Sequence, residues 1–150
     1  MLSLEQSITS DLTNAICLLS PRQLSQLKDC FINTKLVKTV KVDGRIRGVF
    51  YCVIEGKIAY VHACIYKFMR LEDLTEGLRY YTKYMIDLGA DKVNCTFKRS
   101  SLLQATMECC KFKLEGCLRK EFNGNDDTLV YGVLKEEVSA WDNQPPHPQK

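Results

Sequence analysis

No run of apolar residues in the chain is long enough to cross a bilayer, so no membrane partner is expected. The first residues carry no basic segment followed by an apolar one, and a secretory leader is not expected either. Cys-x-x-Cys pairs are missing, which removes the commonest spacing of zinc ligands, and no metal is expected. Histidine is scarce. His62 alternates with apolar neighbours in YVHACIY and reads as a core or sheet-face residue, and His147 stands in a proline-rich tail with no metal-site context. Charge of one sign is scarce too: 21 Lys and Arg against 18 Asp and Glu leave +3, which neither requires nor excludes an anionic partner. The nearest thing to a basic patch is Lys35, Lys38, Lys41, Arg45 and Arg47. On strands such charges form a solvated face, so nucleic acid is not the expected partner.

What is present suits one globular domain. The chain has 150 residues, 45% hydrophobic and 26% charged, enough to close a real core. Its 8 cysteines sit mostly inside apolar runs such as AICLL, VFYCVIE, YVHACIY and VNCTF, where free thiols behave as small hydrophobes. No disulfide is expected, Cys52, Cys64 and Cys95 are expected to be buried, and the expected compartment is a reducing cytoplasm. Cys109-Cys110 has no partner histidine implied nearby and reads as helix-end packing rather than a nucleophile.

The pattern is clearest from Lys57 to Gly89. Lys57–Phe68 is apolar, β-branched and aromatic after Glu55-Gly56, and reads as a central strand. From Leu71 the period changes: Leu71, Leu74, Leu78, Tyr81, Met85 and Leu88 share one helical face, and Gly89 offers the residue free to take positive φ that a helix end wants. Val93–Phe97 is a second buried strand, so the three make a βαβ unit with parallel strands. Upstream, Leu2, Leu4, Gln6 and Ile8 alternate as a short strand, although Ser3 and Gln6 also form a capping box that would open a helix. Helices follow from Ser10 to Leu19 and from the strong Ser20-Pro21 start through Phe31. Leu36–Val42 and Arg45–Ile54, joined by Asp43-Gly44, complete an antiparallel meander with Lys57–Phe68. Downstream, Ser100 or Ser101 caps a short helix with Leu102, Leu103, Thr106 and Met107 on its face. Lys113–Phe122 and Thr128–Lys135 are strands around a polar loop, Asn123–Asp127. The prolines after Asn143 forbid helix and strand, so residues 1–141 are expected to form the domain and 142–150 a mobile tail.

The segment Phe112-Lys113-Leu114-Glu115-Gly116-Cys117-Leu118-Arg119, then Asp127, then Tyr131-Gly132-Val133-Leu134, resembles the GNAT superfamily of N-acetyltransferases. The likeness is greatest to members that acetylate protein N-terminal amines. The element order matches over nearly the whole chain, and the sequence motifs match over its last quarter. The resemblance implies an α/β fold, with a mixed sheet built from an antiparallel meander and a parallel βαβ unit and with helices on both faces. It also implies acetyl-CoA wedged between the two parallel strands. Ile65, Tyr66, Lys67 and Phe68 would then line the cofactor arm and supply an oxyanion donor. The pyrophosphate would rest where Arg70, Asp73 and Thr75 stand, and Ser100 would touch the arm. In the family that turn carries glycines, which let backbone N–H groups approach the phosphates. Here Asp73 and Thr75 replace them, with Glu72 alongside. A carboxylate there repels phosphate and is able to cap the helix itself, so CoA affinity is expected to be poor. Met107 stands where many members have a proton-donating tyrosine, and Lys111 replaces a common glycine.

Acyl transfer to an amine needs a base and oxyanion donors. Glu115, His62 and Glu55 are the candidate bases. Each has a plain alternative: Glu115 matches a family position that helps bind the substrate amine or packs near it, His62 faces the sheet, and Glu55 is a turn residue. Two functions therefore compete. One is acetyl-CoA-dependent transfer to an amine of a protein N-terminus, a lysine or a small molecule. The other is a scaffold of this fold that has lost its cofactor and binds a protein partner, a role that would suit a small virus-encoded or accessory protein in the host cytoplasm.

Overall fold

The computed structural model describes residues 2–6, 36–65, 68–122 and 126–143. The two early helices expected between Ser10 and Phe31, and the tail from 144, lie outside the described residues. Strands β1 (Leu2–Gln6), β2 (Lys38–Val42), β3 (Arg45–Glu55) and β4 (Ile58–Ile65) are followed by helix α1 (Leu71–Asp87) and strand β5 (Lys92–Lys98). Helix α2 (Ser101–Cys109), strands β6 (Lys113–Phe122) and β7 (Asp126–Leu134), and helix α3 (Lys135–Ser139) complete the order, with a 3-10 turn at Ala140–Asn143. The strands form one mixed sheet in the order β1-β2-β3-β4-β5-β7-β6.

The meander follows from its turns. Asp43 and Gly44 both take positive φ, 53° and 77°, the twist a two-residue hairpin needs. The next turn is shifted from expectation: Glu55 pairs with Ile58, so Gly56 and Lys57 make the turn and Lys57 leaves the strand. The strand also ends earlier than expected. Tyr66 and Lys67 lie outside the described residues, and Phe68 is out of the sheet and 81% exposed, while Met69 behind it is buried in the core. One buried side chain is thus the anchor where the chain leaves the sheet for α1.

Helix α1 buries Leu74, Leu78, Tyr81 and Met85 against one sheet face, which carries Phe50, Cys52, Ala59, Val61, Val93 and Cys95. Each such side chain contributes roughly 1.5–3 kcal/mol of burial. Leu88, expected on that face, is the C-cap and is exposed. On α2 the buried residues are Thr106 and Met107, and Leu102 points outward, so the apolar face is narrower than the sequence suggested. The expected loop Asn123–Asp127 is shorter as well. Asp126 and Asp127 belong to β7, where Lys98 and Arg99 pair with them at 3.3 and 3.6 Å. Lys135, expected to end the strand, begins α3. That helix and the 3-10 turn had no signal beyond Trp141, which is buried with its ring 6.4 Å from that of Phe112.

Both long helices end in the same motif. In α1, Gly89 N–H bonds Ile86 O at 2.9 Å and Ala90 N–H bonds Met85 O at 3.1 Å. In α2, Lys111 N–H bonds Glu108 O at 3.1 Å and Phe112 N–H bonds Met107 O at 2.9 Å. These are Schellman pairs, and both place the residue after the cap in the left-handed region: Gly89 at φ 109° and Lys111 at φ 64°. Glycine bears that conformation without strain and lysine does not. Lys111→Gly is expected to raise the unfolding free energy in urea by about 0.5–1 kcal/mol, after allowance for the extra freedom of glycine in the unfolded chain. Unchanged or lower stability would mean that the Lys111 side chain contributes more than the strain it imposes.

Candidate functional site

The parallel pairing of β4 with β5 covers only Ile58↔Lys92, Ala59↔Val93, Tyr60↔Asn94 and Val61↔Cys95. Both strands continue. β4 stays bonded to β3 as far as Gly48↔Ile65, and β5 stays bonded to β7 as far as Lys98↔Thr128. Beyond Val61 and Cys95, the edges His62–Ile65 and Thr96–Lys98 therefore face each other without a ladder. A sheet opened in this way presents backbone N–H and C=O groups that an extended, amide-bearing molecule can take up.

His62 is the first residue past the last pair. It is buried, its ring stacks on Tyr51 with centroids 5.0 Å apart, and its Nδ1 lies 3.3 Å from Thr96 Oγ1 across the opening. Strand alternation puts Tyr51, His62, Thr96 and Asn94 on the face opposite α1. Tyr51, Thr96 and Asn94 were not singled out from the sequence. The signal that would have found Asn94 and Thr96 is the alternation in VNCTF, where Asn and Thr take the positions between the core residues Val93, Cys95 and Phe97.

The other expected site residues separate into groups. Glu55 closes the hairpin at the far end of β4, about 13 Å from His62 at a rise of roughly 3.3 Å per residue, and the structure does not bring it to the opening. Glu115 sits on β6 at a register shift between Leu114 and Gly116, with its carboxylate 2.7 Å from Lys92 Nζ. Ile65 ends β4 and packs on the core. Ser100 is the N-cap of α2, and its hydroxyl accepts from Leu103 N–H at 3.4 Å.

Arg70, Asp73 and Thr75 meet at the start of α1. Arg70 is the N-cap with extended backbone and no side-chain capping bond, and its carbonyl accepts the first helical bond, from Leu74 N–H at 3.0 Å. The expectation that Asp73 caps the helix is corrected here. Its carboxylate is instead held by Arg70 Nε at 3.2 Å. An Arg side chain at i−3 is within easy reach on a helical start and neutralises the carboxylate where it stands. Thr75 Oγ1 is buried without a hydrogen-bond partner among the described residues.

No family model matches the chain, and no curated protein does. Solved structures do. One is the RimL ribosomal L7/L12 α-N-protein acetyltransferase in complex with CoA, at 17% identity over 89% of this chain and 93% of that one, TM-score 0.68. Another is a spermidine N-acetyltransferase from Vibrio cholerae in complex with CoA and spermine, at 18% identity over 92% and 98%, TM-score 0.67. A third is a GNAT-family acetyltransferase from Bacillus anthracis, at 14% identity over 91% and 96%, TM-score 0.66.

The chain has the GNAT fold.

Within that fold, the mixed sheet and its parallel βαβ unit stand as the sequence implied. Among the described residues no group of side chains is arranged to hold a metal, and no helix is long and apolar enough to cross a membrane. Burial pushes the Cys52 thiol up to about 11 and those of Cys64, Cys95 and Cys110 up to about 12, because the apolar surroundings disfavour thiolate. A raised thiol stays protonated, and so inert, until pH nears the raised value. Iodoacetamide near neutral pH is therefore expected to label Cys109 and Cys117, which are exposed, and to reach the four buried thiols only on unfolding. Peptide mass mapping checks this. Labelling of Cys64 or Cys95 at the rate of Cys109 in the folded protein would show that the opening admits reagent to the sheet interior.

Proposed function

We propose that the protein is a GNAT N-acetyltransferase that moves an acetyl group from acetyl-CoA to an amine. The observation that carries this reading is the opening of β4 from β5 after Val61 and Cys95, with His62 held at its mouth. The described residues fit the cofactor in two places. The unladdered edges suit an arm that carries amides, and the start of α1, free of a side-chain cap, suits a pyrophosphate. Ile65 ends β4 and Phe68 lies just before α1, while Tyr66 and Lys67 lie outside the described residues. Bound acetyl-CoA supplies an activated thioester.

The chain's own residues do the rest. Backbone N–H groups near the end of β4 stabilise developing negative charge on the carbonyl oxygen. His62 is the base of choice, since it alone among His62, Glu55 and Glu115 stands at the opening. Action at Nε2 requires Nδ1 to carry the proton and to donate it to Thr96 Oγ1, and Tyr51 fixes the plane of the ring. Met107 is sealed in the core and donates no proton. The cysteines among the described residues are free thiols, which suit a reducing cytoplasm as the place of action.

A second reading, a scaffold of this fold without cofactor, is favoured by one feature. Asp73 and Thr75 place side chains, both partly or largely withdrawn from solvent, where glycines would let backbone approach phosphate. Calorimetric titration with acetyl-CoA separates the two. Wild-type protein is expected to bind weakly and to gain melting temperature with ligand by mass action. Asp73→Gly with Thr75→Gly is expected to bind about tenfold tighter, at a cost of about 1 kcal/mol of helix stability per glycine. His62→Gln is expected to leave CoA affinity unchanged and to lower kcat by about a hundredfold or more. Absence of binding by both wild type and double variant would sink the enzyme and leave the scaffold.

A further inference from the structure

Gly132 on β7 lies between Asn94 of β5 and Glu115 of β6. A Cβ at this glycine would collide with Glu115 Oε2 and stand 2.6 Å from Glu115 Cδ and 2.8 Å from Asn94 Oδ1. The missing methyl lets the carboxylate settle against the sheet beside the carboxamide. Lys92 takes only one carboxylate oxygen, Oε1, at 2.7 Å. Oε2 is the oxygen turned over Gly132. Asn94 is 7% exposed, and its Oδ1 has no donor among the described residues. Two oxygen acceptors, one of them charged and one deeply buried, thus face each other over a bare backbone. A single group with several N–H donors and a positive charge satisfies both.

Lys92 and Glu115 side chains remain 27% and 36% exposed, so the cradle is open to solvent on the Glu115 side. It also shares a face with the candidate base. Asn94 precedes Thr96 by two residues on the same side of β5, which sets it about 7 Å from the opening at a rise of roughly 3.3 Å per residue.

We infer that Asn94 and Glu115 form a subsite for a second cationic group on the acceptor, so that the favoured substrate is an aliphatic diamine or longer polyamine. One amino group reaches the opening at His62 and Thr96, and the other, as ammonium, lies between Asn94 Oδ1 and Glu115 Oε2. Lys92 holds the subsite in the absence of acceptor and competes with it for the carboxylate. The inference rests on the acetyltransferase reading for the role of the first amine, but the cation subsite itself is testable without cofactor.

The test is an NMR titration of the protein, without CoA, with putrescine and separately with butylamine, whose single ammonium lacks the second charge. Wild type is expected to bind putrescine about tenfold more tightly than butylamine. Glu115→Gln keeps the shape, and is expected to weaken putrescine about tenfold. Lys92→Met removes the internal competitor and is expected to tighten putrescine severalfold, an effect that a merely structural Lys92–Glu115 pair would not produce. Equal affinity for the two amines, no binding of either, or no gain in Lys92→Met would overturn the subsite. Acetyl transfer measured in parallel keeps the two readings apart. Transfer without diamine preference overturns the subsite alone, and diamine preference without transfer supports the subsite while overturning the enzyme.

Discussion

The ladder between β4 and β5 is the constraint on which the rest of the molecule turns. It is parallel, and only four residue pairs long. A parallel pair needs a crossover, and α1 supplies it while burying Leu74, Leu78, Tyr81 and Met85 on the face below. Stopping the ladder after Val61↔Cys95 ends the β4–β5 backbone bonds in mid-sheet, and buried backbone groups are costly unless something takes them. The outer pairings keep the cost tolerable, since β3 and β7 hold the far edges of both strands to their ends. The opening is therefore held on its outer sides and carries no β4–β5 ladder on its inner ones, the condition a binding slot requires.

Electrostatics at the mouth of α1 qualify what that slot can take. A bare Asp73 carboxylate at a helix start would both oppose an anion and occupy the free N–H groups. Its pairing with Arg70 changes each effect differently. The charge is compensated, so repulsion of phosphate is weakened, while the side chain still occupies space that glycine would leave empty. Sterics rather than charge thus become the main handicap at this corner, and Thr75, with a buried hydroxyl lacking a partner among the described residues, adds to it.

Much of this was legible in the sequence. Hydrophobic period placed every described strand and both long helices, because those elements each bury one face. The errors fall where tertiary contacts outvoted local pattern. Lys57 looked like strand because Ile58 follows, but closing the hairpin needs two turn residues and Gly56 alone is one short. Asp126 and Asp127 read as loop because carboxylates disfavour strands, and they entered β7 because Lys98 and Arg99 meet them across the sheet edge. α3 carried no apolar repeat; it is held by Glu137, which accepts from Leu134 N–H at 3.0 Å and pairs with Lys113 at 3.0 Å. Among the candidate bases, His62 could not be set above Glu55 or Glu115 without the register, since only the register says where the ladder stops.

Strand β5 shows how one short segment serves both core and chemistry. Val93, Cys95 and Phe97 are buried on the α1 side, and Phe97 stacks on Tyr131 with ring centroids 5.6 Å apart. Lys92, Asn94 and Thr96 point the other way, towards Glu115 and His62. A period of two makes these sets independent in contact while locking them together in register: a one-residue slip would bury Lys92 and turn Cys95 to the opening. The seven pairs of β5 with β7 fix that register along the whole strand, whereas its four pairs with β4 do not extend to the site. Geometry at the opening is consequently set from the β7 side. That makes Gly132 and Tyr131, which pair with Asn94 and Cys95 on β5, part of what positions Thr96 opposite the imidazole.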